Sequence, residues 1–69
     1  MLHAVEIRFP GENFRDVVLR VKGWLDEADA QPTAFRYWLD EPHSVMRVNF
    51  ELEKQAQAFA QAFSGVVLR

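Results

Sequence analysis

Residues 2–9, Leu2-His3-Ala4-Val5-Glu6-Ile7-Arg8-Phe9, with Pro10-Gly11 directly after them, decide how the rest of the chain is read. His3, Val5, Ile7 and Phe9 fall on one side of an extended backbone, and Ala4, Glu6 and Arg8 on the other. A period of two with β-branched and aromatic residues on the apolar side predicts a half-buried strand, and the Pro-Gly step ends it. Such a strand needs a cover on one face and leaves the other to solvent. The segments C-terminal to it must supply that cover.

The first of them is a helix. Asn13 stands at the N-cap position with Asp16 three residues on, a capping-box-like spacing. Phe14, Val17, Val18, Val21, Leu25 and Ala28 recur at offsets of three and four. At about 100° per residue they stay within one stripe, so they predict one buried face. Trp24 edges that stripe, Leu19 points away, and Asp29, Gln31 and Pro32 close the helix.

A second strand is predicted over residues 33–40, with Phe35, Tyr37 and Leu39 on one side and Ala34, Arg36 and Trp38 on the other. Aromatic residues occur on both sides, and Arg36 marks the outward one. Glu41-Pro42-His43-Ser44 reads as a turn into a third strand over 45–50, where Met46, Val48 and Phe50 alternate against Val45, Arg47 and Asn49. The spacing of Leu52, Ala56, Phe59, Ala60 and Phe63 predicts a second helix over 52–64, capped by Gly65. Val66 to Leu68 is left as a short final strand.

The order β-α-β-β-α-β contains two crossovers, each expected to be right-handed. Joined through the central hairpin, they give one α+β domain over residues 1–69 with an antiparallel sheet in the order 4-1-3-2 and two helices on one face. This is the ferredoxin-like sandwich. Its expected core is Val5, Ile7, Phe9, Phe14, Val17, Val18, Val21, Leu25, Phe35, Tyr37, Leu39, Met46, Val48, Phe50, Phe59 and Phe63. Many unrelated functions share this architecture, and the residues that mark its families differ here. RNA-recognition motifs carry stacking aromatics on the open face of the first and third strands, where this chain has Glu6, Arg8, Val45, Arg47 and Asn49. Heavy-metal-associated domains need a cysteine pair after the first strand. Pro10-Gly11 looks like the Pro-Gly step of amino-acid-binding ACT domains, yet Glu12 and Asn13 stand where that family places an apolar residue. No family is assigned.

With 69 residues there is room for one modest core, which disulfides, metals, close packing or self-association must supplement. The chain has no cysteine, which removes disulfides, thiolate metal sites and thiol chemistry together. Its net charge of −2 lacks the positive field that drives non-specific nucleic-acid binding. No segment has the length to cross a membrane, and the N-terminus lacks a signal-peptide pattern, so the cytoplasm is the expected compartment.

Catalytic chemistry finds no constellation. His3 and His43 are expected at opposite ends of the sheet, roughly 20 Å apart at about 3.3 Å per residue, too far to share a metal or a proton. Gly11, Gly23 and Gly65 are isolated, so there is no phosphate loop. Asp26, Glu27 and Asp29 read as a solvated helix end. No serine lies beside a histidine. Neither an enzyme nor a cofactor is expected. The open sheet face remains, where Glu6, Arg8, Arg36, Trp38, Arg47 and Asn49 are expected to gather. A large exposed aromatic among arginines has the composition of a binding hot spot. Two uses compete for it. In one, a homodimer or a protein partner meets it sheet to sheet over Trp38. In the other, the arginines hold an anionic small molecule (less readily nucleic acid) stacked on Trp38.

Overall fold

The alternating segment becomes strand β1 (His3–Pro10), and in a computed structural model that describes residues 2–68 it is one of the two inner strands of the sheet. A 3-10 turn (Gly11–Asn13) leads into helix α1 (Phe14–Glu27). Strands β2 (Ala34–Asp40) and β3 (His43–Phe50) form a hairpin, followed by helix α2 (Glu53–Phe63) and strand β4 (Val66–Leu68). All strand pairs are antiparallel, and the order is β2-β3-β1-β4, which is 4-1-3-2 read from the opposite edge.

Register explains which residues share a face. Val5 pairs with Val48, Ile7 with Met46 and Phe9 with Ser44, while Val48, Met46 and Ser44 pair in turn with Phe35, Tyr37 and Leu39. Directly opposed residues project to the same side, so these three rows face the helices. Val5, Ile7, Phe9, Met46, Val48 and Phe50 join Val21 of α1 and Ala56, Phe59 and Ala60 of α2 in one buried cluster. Phe14, Val17, Val18, Leu25 and Phe63 pack against that cluster half-buried. Phe59 is its aromatic centre, with ring centroids 5.3 Å from Phe50, 5.3 Å from Trp24 and 4.9 Å from Phe63.

Several expectations are corrected. Phe35, Tyr37 and Leu39 lie on the helix side of the sheet but are exposed, at 37%, 60% and 70%. The stripe of α1 is spent on the cluster centred on β1 and β3. On β2 it places the Phe14 ring against Tyr37, with centroids 5.1 Å apart. Ala28 and Leu52 are exposed because each lies just beyond the end of its helix. Asn13 makes no side-chain cap bond, since the 3-10 turn occupies the place of the cap. His43 and Ser44 belong to β3, so the turn shrinks to Glu41-Pro42, whose peptide bond is cis.

The end of α2 differs in a more instructive way. Ser64, not Gly65, takes the left-handed conformation, with φ 54°. Gly65 donates its N–H to the Ala60 carbonyl at 2.8 Å. A Cβ at Gly65 would stand 2.6 Å from Ile7 Cγ2 and 3.0 Å from the Glu6 carbonyl oxygen. The glycine is needed because the backbone passes so close to β1 there, and this approach brings β4 into register with Ala4, Val5 and Glu6.

Candidate interaction surface

The open face is organised by the same register. Glu6, Arg47 and Arg36 form one cross-strand row, Arg8, Val45 and Trp38 the next, and Ala4, Asn49 and Ala34 a third. All six residues singled out in the sequence therefore share this face of the sheet.

Their charges are largely matched within the sheet. Arg47 donates to Glu6 Oε2 at 2.9 Å, and Arg8 donates to Asp40 Oδ2 at 2.6 Å across β3. The second pair is more than half exposed, so it contributes at most about 1 kcal/mol. Arg36 has no ion-pair partner among the described residues and stands directly opposite Arg47, a like-charge pairing. The Glu6 carboxylate is thus engaged within its own sheet and is not free to neutralise an arginine across a sheet-to-sheet interface.

Trp38 is placed by its neighbours. Its ring takes the Arg47 guanidinium carbon at 5.4 Å from the centroid, inside cation–π range. Val45, its cross-strand partner, is 0% exposed although it lies on the face away from the helices. That burial accounts for part of the Trp38 surface. The indole is still 40% exposed. On the same face Arg47 Nε and Asn49 Oδ1 are buried without a hydrogen-bond partner among the described residues. Buried polar atoms normally have partners, so this face is left with one unmatched donor and one unmatched acceptor.

The feature missed in the sequence is on the other side of β2. Phe35, Tyr37 and Leu39 expose a row of apolar side chains on the helix side, so with Trp38 on the open side β2 exposes aromatic rings on both faces. An apolar recess lined by Gly11, Phe14, Tyr37, Trp38, Leu39 and Ser44 lies at its C-terminal end. The Ser44 hydroxyl is buried there without a hydrogen-bond partner among the described residues. β2 is also an edge strand, so every second backbone N–H and C=O points away from β3. The available signal was the presence of aromatics on both sides of residues 33–40.

His3 pairs with Phe50 at one end of β1, and His43 pairs with Pro10 and Asp40 at the other. Among the described residues no three His, Cys, Asp or Glu side chains come together. No helix among them is long and apolar enough to cross a membrane. No protein-family model, no curated protein and no solved structure significantly matches this chain.

Proposed function

We propose that the chain is a ferredoxin-like, non-enzymatic cytoplasmic interaction module that binds protein, in the first place another copy of itself, with Trp38 at the centre of the contact. One observation carries this reading: a seven-residue edge strand exposes Phe35, Tyr37, Trp38 and Leu39 together. Exposed edge strands are normally blunted by charge, proline or a covering element. Here the charged residues are Arg36 and, at the strand's end, Asp40, beside four large apolar ones, and apolar surface of this kind marks contact sites. Sedimentation across a concentration series tests it. The chain should shift from monomer toward dimer, and Trp38→Ala should move that shift to higher concentration. A chain that stays monomeric at the highest concentration overturns self-association.

A second reading, binding of an anionic small molecule, is supported by Arg36, which has no ion-pair partner among the described residues and projects from the same face as Trp38. It predicts a change in tryptophan fluorescence on titration with nucleotides, weakening as salt rises. Nucleic acid fits less well, because three arginines on the face are offset by Glu6 and Asp40.

A further inference from the structure

We propose that two copies of this chain join edge to edge through β2, antiparallel about a two-fold axis at Tyr37, to form one continuous eight-stranded sheet. The proposal rests on the self-association reading above and names the surface and register that carry it.

The geometry of the edges favours β2. The sheet has two edges: β4 is three residues long and β2 seven. An added strand needs a run of outward backbone groups, and β2 offers the longer one. A two-fold axis normal to the sheet keeps each face on its own side, so residues pair only with residues of the same face. Of the registers this allows, the one centred on Tyr37 pairs all seven residues of β2. Centring on Arg36 sets the two guanidiniums opposite each other, and centring on either Arg36 or Trp38 leaves two residues of each strand unpaired.

The side chains match in the Tyr37-centred register. On the helix side Phe35 lies opposite Leu39 of the second copy and Tyr37 opposite its own equivalent, so the exposed apolar row is covered by its own image. Leu39 also lines the apolar recess, which brings Phe35 of the second copy beside it. On the open side Arg36 lies opposite Trp38 of the second copy and diagonal to its Asp40. Arg36, without an ion pair among the described residues of one copy, thereby gains an aromatic face and stands diagonal to a carboxylate that it shares with Arg8 of the second copy. The other diagonal neighbour is Arg36 of the second copy, from which the long side chain can turn away. The contact is narrow, one strand wide, so the dimer is weak and concentration-dependent.

The absence of native cysteine gives a clean test by disulfide trapping in the full chain. Directly opposed residues have Cα atoms about 4.5–5.5 Å apart, within the roughly 4.4–6.8 Å that a disulfide spans. Tyr37→Cys should therefore form covalent dimer under mild oxidation at least tenfold faster than Gln61→Cys, an exposed position on α2. Phe35→Cys alone should link slowly, because its equivalent lies four residues along the strand, roughly 13 Å away. Phe35→Cys combined with Leu39→Cys should link fast. Circular dichroism of each reduced variant checks that the fold is kept. If the unsubstituted chain dimerises but Tyr37→Cys links no faster than Phe35→Cys or Gln61→Cys, the edge pairing is wrong and self-association stands. If the unsubstituted chain is monomeric throughout and Tyr37→Cys shows no excess linking, both readings fall.

Discussion

Val48 and Phe35 face each other across paired strands on one side of one sheet, yet Val48 is sealed and Phe35 is open to solvent. The same contrast runs down the hairpin: Met46 is buried beside an exposed Tyr37, and Ser44 beside an exposed Leu39. Both strands have apolar residues at alternate positions and the same orientation toward the helices. They differ in their place in the sheet. β3 has a strand on each side and the helices above it, whereas β2 has one neighbour and, from α1, the ring of Phe14. The residue pattern selects a face, and the position in the sheet decides whether that face is covered.

Substitutions on the two strands and their cover test this contrast, and those under the helices should cost most. Phe59→Ala removes the ring on which Trp24, Phe50 and Phe63 converge, and should cost about 3–5 kcal/mol of stability, read as a loss of midpoint in urea. Gly65→Ala forces a methyl against Ile7 and the Glu6 carbonyl, with an expected cost of roughly 1–3 kcal/mol in the same titration. Asp40→Asn breaks an exposed ion pair with Arg8, and should cost at most about 1 kcal/mol at low salt and less as salt rises. Smallest of all, Leu39→Ser, on the uncovered strand, should change the stability of the dilute chain by no more than about 0.5 kcal/mol. A cost near that of Phe59→Ala would mean that the β2 row is covered in the monomer after all.

The same contrast marks how far the sequence could be read. The alternation in residues 2–9, the stripe from Phe14 to Leu25 and the spacing of Phe59 and Phe63 were enough for the elements, their order and the central core. They gave the open-face neighbours too, because a face follows from parity once the strands are paired. Parity also placed Phe35, Tyr37 and Leu39 under the helices, where Phe14 reaches Tyr37 and all three stay exposed. How far two helices extend over a four-stranded sheet depends on packing between distant residues, and no local period carries it. That Glu6 takes a cross-strand arginine was legible, but which arginine it takes, and the pairing of Arg8 with Asp40, were hidden, since four charged residues on three strands permit several pairings until rotamers are fixed. Gly65 shows a third limit: a glycine after a helix suggests a left-handed cap, whereas here its role is clearance against β1.

That asymmetry, a covered centre and a bare edge, is most directly tested by amide hydrogen exchange measured on dilute and concentrated samples of the unsubstituted chain. Exchange of the outward-facing β2 amides between Phe35 and Leu39 should slow as concentration rises, while the β4 amides, on the opposite edge, keep their rates. Identical β2 exchange at every concentration would contradict an edge that seeks a partner.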